Sequence, residues 1–216
     1  LIAGIMRRDP GTGRTLDVDI ATFVPRAESL GACAFAVYPD EELHGGSYAD
    51  ILAVAQCTGL PVLSRDPVID PVQIVMARTH GAAAVTLCVG ALSDNDVRTL
   101  FRQALELGLD VVFEVGSAAE LDRLARVRVS GPESAGAGLV AVHAVGFDGK
   151  SADLPCYERL VEKLPEAAAG IAAAGICDET DAAAVVAMGY DAFVAPYLSL
   201  ADDVEASLRA LAGDRI

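Results

Sequence analysis

Eight short apolar runs alternate with amphipathic helical stretches along the chain, and this rhythm predicts that residues 1–216 form a single (β/α)8 TIM barrel. The apolar runs are continuous rather than alternating, which is typical of parallel strands covered by helices. With 216 residues and 53% hydrophobic content, the chain is long enough for one such domain with a large core. No composition change indicates a domain boundary.

We assign one strand to each apolar run, because short runs of this kind fit strands better than helices. In chain order the predicted strands are Leu1–Met6, Ala34–Pro39, Pro61–Ser64, Ala83–Val89, Asp110–Val115, Leu139–Val145, Gly170–Ala174 and Ala192–Ala195.

Capping residues mark several of the intervening helices. Four helix starts are indicated, at Pro71, after Ser93, after Ser117, and after Asp178 or Thr180. Glycines that suit the helix C-terminus follow three of these helices, at Gly81, Gly108 and Gly189. The segment Ser130–Gly138 is rich in glycine and serine and is predicted to be a loop.

Charge and hydropathy disfavour several classes of partner. The chain has 31 acidic and 16 basic residues, a net charge of −15, which disfavours nucleic acid and anionic membrane surfaces. No apolar run approaches the roughly 18 residues that span a membrane. No signal peptide is visible, so we expect a cytoplasmic protein that acts on a small molecule. The sequence does not predict the oligomeric state.

Neither a metal nor an organic cofactor is expected. The three histidines lack the spacing of metal ligands. The glycines at Gly11–Gly13 lack the context of a dinucleotide-binding loop. The five cysteines form no Cys-x-x-Cys pair, and we expect them to be buried thiols. Among them, Cys88 is expected to be inert because no base neighbours it in sequence.

Polar side chains at the ends of the predicted strands are the candidate catalytic residues, since TIM-barrel active sites lie on the loops after the strands. The candidates are Arg65, Glu114 and His143. A histidine there adds a group that titrates near neutral pH. Each candidate also has a structural interpretation. Glu114 could pair with Arg65, His143 could be a hydrogen-bonded core histidine, and Arg65 could form a rim salt bridge with Asp66.

A second group of residues is placed near the pocket as candidate substrate ligands. Arg7, Asp66 and His44 follow predicted strands, and His44 either is solvated in its loop or caps the ligand. Tyr38 and Tyr197 either line the pocket or pack against its rim.

Three segments, in this order and spacing, resemble indole-3-glycerol phosphate synthases: HGGSYADI, PVLSRDPVIDPVQI and VFEVGSAAEL. The resemblance covers nearly the whole chain and implies the same barrel. That family cyclises a carboxyphenylamino-deoxyribulose phosphate to the indole with loss of CO2 and water. The resemblance implies an active site with a lysine as general acid, glutamates as base and stabiliser, and a phosphate-binding site after strands 7 and 8.

The chain departs from the family at most catalytic positions. The family's first-strand glutamate and lysine correspond to Gly4 and Met6, and its third-strand lysine to Arg65. The fifth-strand glutamate is kept as Glu114, and the sixth-strand asparagine corresponds to His143. A guanidinium keeps the positive charge of the lysine but is a poor general acid, because it does not release its proton near neutral pH.

The phosphate cradle is also altered. The family's seventh-strand glutamate and serine correspond to Ala173 and Ala174, before a retained Gly175 that we expect to contact substrate. Its eighth-strand Gly-Glu-Ser corresponds to residues 195–197, where Pro196 removes a backbone N–H donor.

These departures favour a repurposed lyase or cyclase of the family. Its substrate would be small and carboxylated, not necessarily aromatic or phosphorylated, with Arg65 holding a carboxylate or oxyanion and Glu114 and His143 exchanging protons. Two alternatives remain open: a non-catalytic binding or scaffold protein, and residual indole-3-glycerol phosphate synthase activity.

Overall fold

The computed structural model describes residues 1–127, 138–146, 150–196, 198–201 and 203–212. The predicted loop at Ser130–Gly138 lies outside these ranges except for Gly138.

Parallel strands β1 to β8 form a closed barrel in which each strand pairs with its neighbours in sequence and β8 pairs with β1. The predicted (β/α)8 fold is therefore confirmed. The strands are β1 Ile2–Ile5, β2 Ala34–Val37, β3 Val62–Ser64, β4 Ala84–Cys88, β5 Asp110–Val115, β6 Leu139–Val142, β7 Ala169–Ala172 and β8 Ala192–Ala195.

Most strands are slightly shorter than predicted, because apolar residues at their ends already belong to the loops. The largest difference is at β6, which ends at Val142 rather than Val145. The next residue, His143, still donates its backbone N–H to Val115 O at 2.8 Å and so continues the ladder for one position.

Helices separate the strands and cover the outer face of the barrel. They are α1 Ile20–Ser29, α2 Glu41–His44, α3 Tyr48–Cys57, α4 Pro71–Thr79, α5 Asp94–Glu106, α6 Ala118–Val127, α7 Leu154–Val161, α8 Glu179–Met188 and α9 Val204–Ala212. The predicted caps are present: the Ser93 and Asp178 side chains accept N–H bonds in the first turns of α5 and α8, and Gly189 ends α8 in the left-handed conformation.

The strands bury side chains in two layers. Outward residues such as Phe35, Val85 and Phe113 pack against the helices in the larger core. Inward residues, among them Met6 and Tyr38, form a second cluster that fills the barrel. Side chains alternate along a strand, so every second residue points into the barrel. The polar candidates lie at the carboxyl ends of the strands, above this inward cluster.

Two surface properties complete the description. Within the described residues, no helix is long and apolar enough to cross a membrane. The expectation of buried cysteines is wrong for Cys33 and Cys177, which are exposed, whereas Cys156 is buried. Cys33 directly precedes β2, and Cys177 lies in the loop after β7, so neither side chain is enclosed by the core.

Candidate active site

Arg65, Glu114 and His143 meet at the carboxyl end of the barrel, as the sequence predicts. Arg65 follows β3 and His143 follows β6, while Glu114 lies in β5. Glu114 pairs in register with Cys88 of β4 on one side and Ala141 of β6 on the other. This places the carboxylate between the arginine and the histidine.

The Arg65–Glu114 ion pair is the centre of the site. Arg65 Nη2 donates to Glu114 Oε2 at 2.7 Å, and the two side chains are only 8% and 15% exposed. Arg65 Nη1 donates to Tyr38 Oη at 3.0 Å and to the carbonyl oxygen of Ala173 at 2.5 Å. The guanidinium thus ties together strands 2, 3, 5 and 7.

The alternative pairing of Arg65 with Asp66 is wrong. Asp66 turns away from Arg65 and accepts hydrogen bonds from Tyr48 Oη at 3.0 Å and Gln73 Nε2 at 2.9 Å. Neighbouring residues at a strand end point to opposite sides of the sheet, which separates these two side chains. A substrate-binding role for Asp66 remains a prediction.

The environment keeps Glu114 ionised. Burial alone would raise the pKa of its carboxyl group, but the Arg65 charge and the hydrogen bond with His143 outweigh burial and lower the pKa to about 2. Burial likewise opposes the charge of Arg65, yet Tyr38 and Glu114 raise its pKa above the usual value. The pair is therefore charged throughout the physiological pH range.

His143 has one engaged and one accessible edge. Its Nδ1 lies 3.5 Å from Glu114 Oε1 and 3.5 Å from Arg65 Nη2, so it can donate to the carboxylate or accept from the guanidinium, depending on the tautomer. The His143 side chain is 45% exposed, because β6 ends at Val142 and the histidine lies just beyond it. The interpretation of His143 as a core histidine is therefore wrong. Within the described residues, hydrogen-bond contacts are seen for Nδ1 and not for Nε2.

Tyr38 and His44 form an aromatic wall beside the ion pair. Tyr38 is buried against Arg65, and its ring centroid lies 4.8 Å from that of His44 at the end of α2. The Nδ1 atom of His44 is buried, with no hydrogen-bond partner in the part of the chain that is described. Burial lowers the pKa of His44, which favours a neutral ring. A substrate-binding role for His44 remains a prediction.

Two further candidate ligands, Arg7 and Gly175, have their own contacts elsewhere in the protein. Arg7 binds Asp50 through Nη2 at 2.7 Å and Asp17 through Nη1 at 3.0 Å. Gly175 adopts a positive φ of 75°, and a methyl group there would lie 2.6 Å from the backbone N of Ala152. Tyr197 lies outside the described residues. Contact of any of these with substrate remains a prediction.

Cys88 contacts the site but was not predicted as a site residue, and Thr86 lies two residues before it in β4. Cys88 Sγ donates to Glu114 Oε1 at 3.6 Å, and burial together with Glu114 raises the pKa of the thiol to about 12. The raised pKa favours the protonated thiol although Glu114 lies beside it, and the inertness of Cys88 remains a prediction. Thr86 Oγ1 is buried without a partner among the described residues. Strand alternation could have predicted that Thr86 and Cys88, two residues apart in β4, point to the same side of the sheet.

At two positions where the family that this chain resembles has charged side chains, this chain has Gly4 and Met6, and both are closely packed. A methyl group on Gly4 would lie 2.5 Å from the carbonyl oxygen of Ala195 and 2.7 Å from Cα of Pro196. Met6 is 2% exposed and packs in the inward cluster with Tyr38 and Ala173. The β1–β8 junction therefore has no room for a side chain at position 4. A cavity of about 240 Å³ nevertheless lies on this side of the barrel, and Asp9, Cys177 and Leu198 are among the residues that line it.

Metal binding finds no support in the described ranges, where no group of three or more His, Cys, Asp or Glu side chains could hold a metal ion.

Comparisons with known proteins agree with this geometry. Residues 1–211 match the profile of a family described as indole-3-glycerol phosphate synthase. A relative of that name from Koribacter versatilis is 32% identical over 99% of this chain and 80% of its own length. A second from Nocardioides sp. is also 32% identical, with the same coverage.

Solved structures support the fold alone. A crystal structure of 3-hexulose-6-phosphate synthase superposes with a TM-score of 0.67 and 16% identity, covering 97% of this chain and 96% of that one. The Salmonella typhimurium enzyme of that name gives a TM-score of 0.69 and 17% identity, covering 88% and 89%.

Proposed function

Because the chain belongs to the indole-3-glycerol phosphate synthase family, we propose that it is a lyase or cyclase with a rebuilt acid–base site for a small carboxylated substrate. The observation that carries this proposal is the Arg65–Glu114–His143 chain, in which a buried, ionised carboxylate supports a histidine with an accessible edge. Histidine held in this way is a common proton-transfer group near neutral pH.

In the proposed reaction, His143 Nε2 removes a proton from the substrate and returns one to the leaving group. The Glu114 carboxylate accepts the Nδ1–H bond and stabilises the imidazolium that forms. Arg65 donates to Glu114 Oε2, Tyr38 and Ala173, so most of the hydrogen-bonding capacity of the guanidinium is used by the protein. Its role towards a substrate carboxylate or oxyanion is therefore long-range electrostatic attraction rather than a two-pronged clamp.

A phosphate anchor after strand 7 is disfavoured by the bonds that its backbone already makes. The Ala174 N–H donates to Tyr157 Oη at 2.9 Å, and the Ala173 carbonyl accepts from Arg65. The backbone of Ala152 lies against Gly175. Because the Ala174 N–H donor is already bonded within the protein, we propose a substrate that does not depend on a phosphate at this position.

Retained indole-3-glycerol phosphate synthase activity is the second candidate. It is favoured by 32% identity over 99% of the chain and by Glu114 and the cationic Arg65 at two family positions. It would require the phosphate to be held elsewhere. The buried Met6, at the position of the family's lysine, weighs against it because a methionine supplies no positive charge for the phosphate.

The test compares two substrates and three variants. Formation of indole product is followed by fluorescence with carboxyphenylamino-deoxyribulose phosphate and with its dephosphorylated analogue. Both are assayed with wild type, Glu114→Gln, His143→Ala and the control His80→Ala, which changes a histidine at the end of α4. Our proposal expects turnover without a phosphate requirement, lost in the first two variants and kept in the control.

Other outcomes discriminate between the alternatives. Turnover that requires the phosphate identifies the family's own reaction and overturns the proposal. Tight binding of either compound by calorimetry without turnover identifies a binding protein. Full turnover in both Glu114→Gln and His143→Ala excludes the acid–base roles assigned here.

A further inference from the structure

We propose that Cys88 is a positioning residue, whose thiol holds Glu114 Oε1 in the orientation that faces His143. The inference rests on the proposed function, because it assigns Cys88 a role in the same proton-transfer chain. Cys88 does not contact the reacting atoms in this proposal and acts only through Glu114.

The ion pair alone leaves the Glu114 carboxylate free to turn. Arg65 reaches it with a single hydrogen bond, from Nη2 to Oε2, because Nη1 is directed to Tyr38 and Ala173. The terminal torsion of a glutamate side chain is broad, so one bond to one oxygen does not fix the carboxylate plane. A second contact on Oε1 is needed to define the side that His143 faces.

Cys88 supplies that second contact. The β4–β5 register places Cys88 directly opposite Glu114, and Sγ lies 3.6 Å from Oε1, the oxygen that also lies 3.5 Å from His143 Nδ1. A thiol is a weak donor that occupies Oε1 without displacing the stronger imidazole donor. Cys88 in β4 and His143 after β6 thus approach the same oxygen from the two sides of β5.

The charge environment keeps the thiol a donor. Burial and the Glu114 carboxylate both raise the pKa of Cys88, and Arg65 only partly offsets them. The ionisable groups that face Glu114 are Arg65 from β3, Cys88 from β4 and His143 from β6, while Tyr38 from β2 faces Arg65. Cys88 therefore remains protonated over the pH range in which a histidine exchanges protons.

Thiol alkylation tests the contact without a substrate. Iodoacetamide incorporation at each cysteine is measured at pH 8 by peptide mass spectrometry, with exposed Cys33 and Cys177 as internal references. In wild type we expect Cys88 to react far more slowly than the references. Glu114→Gln should accelerate Cys88 at least about tenfold, since each pKa unit changes the thiolate fraction tenfold. Asp110→Asn, which removes the same charge at the exposed start of β5, should leave it unchanged.

Imidazole tautomers test the positioning role, also without a substrate. Nitrogen-15 shifts report the fraction of neutral His143 that carries its proton on Nδ1 and donates to Glu114. Cys88→Ala should lower the ratio of the Nδ1–H to the Nε2–H form at least about twofold, the effect of a weak hydrogen bond. Cys88→Ser, which restores a donor, should recover the wild-type ratio.

Several results would overturn the inference: rapid alkylation of Cys88 in wild type, no acceleration in Glu114→Gln, or a tautomer ratio unchanged in Cys88→Ala. If Glu114→Gln fails to fold, the alkylation rate of Cys88 in wild type and the tautomer ratios of the Cys88 variants still test the inference. Absence of turnover with both test substrates argues against the proposed function, but it does not change the expected alkylation rates or the expected tautomer ratios. The two failures are therefore distinguishable.

Discussion

Arg65 and Glu114 form a buried ion pair across the barrel mouth, 2.7 Å between Nη2 and Oε2, although their strands are separated by β4. Charges this deeply buried need one another, because either one left unpaired bears its full desolvation cost. The pair is thus a structural requirement of the site as well as part of its chemistry.

The first prediction concerns the stability of this pair. Arg65→Met leaves Glu114 uncompensated and should lower the free energy of unfolding by about 3–5 kcal/mol. The double variant Arg65→Met/Glu114→Met removes both charges and should recover at least half of that loss. Urea denaturation followed by circular dichroism measures both values. A double variant no more stable than Arg65→Met would show that the loss came from packing rather than from the unpaired charge.

The barrel could be predicted from sequence because its signals are local. Apolar runs, N-caps such as Ser93 and glycine C-caps such as Gly189 report on their own segment, and eight repetitions leave few other folds. The identity of the catalytic candidates was also predictable, since it required only the residues that follow each strand.

The contacts between those residues were not predictable, because they depend on orientation and register. Asp66 follows Arg65 directly in sequence, yet its carboxylate accepts a hydrogen bond from Tyr48 rather than from Arg65. Cys88 approaches Glu114 only because of the β4–β5 register. Arg7 finds its carboxylate on Asp50, 43 residues away. Hydrophobic periodicity carries no information about such long-range polar partners.

The second prediction is a pH dependence of stability. The folded-state pKa of Glu114 is depressed to about 2, so its contribution is fully present above the unfolded value and is lost as pH falls below it. We expect stability to decrease between about pH 5 and pH 2, by an amount on the order of 3 kcal/mol from this group. Thermal unfolding of wild type and Glu114→Gln across this range measures it. Parallel curves for the two proteins would contradict the assignment.

The third prediction separates activity from stability at His143. The side chain is 45% exposed, so His143→Asn should change the free energy of unfolding by no more than about 0.5 kcal/mol. Loss of its proton transfer should nevertheless reduce kcat by about 10²–10⁴-fold on whichever of the two test compounds the wild type turns over. His80→Asn serves as the control. Equal kcat in the two variants would remove His143 from the mechanism.

The fourth prediction concerns the β1–β8 side of the mouth, where Gly4 packs against β8. Any side chain at this position meets the backbone of Ala195 and Pro196, which cannot move without disturbing the pairing of β8 with β1. Gly4→Ala should therefore cost about 1–3 kcal/mol of unfolding free energy, as expected for overpacking. Gly59→Ala is the matched control, because a methyl group there would have nothing within 4 Å. If Gly4→Ala were as stable as Gly59→Ala, this side could open, and an anionic residue at position 4 could be accommodated as in the family.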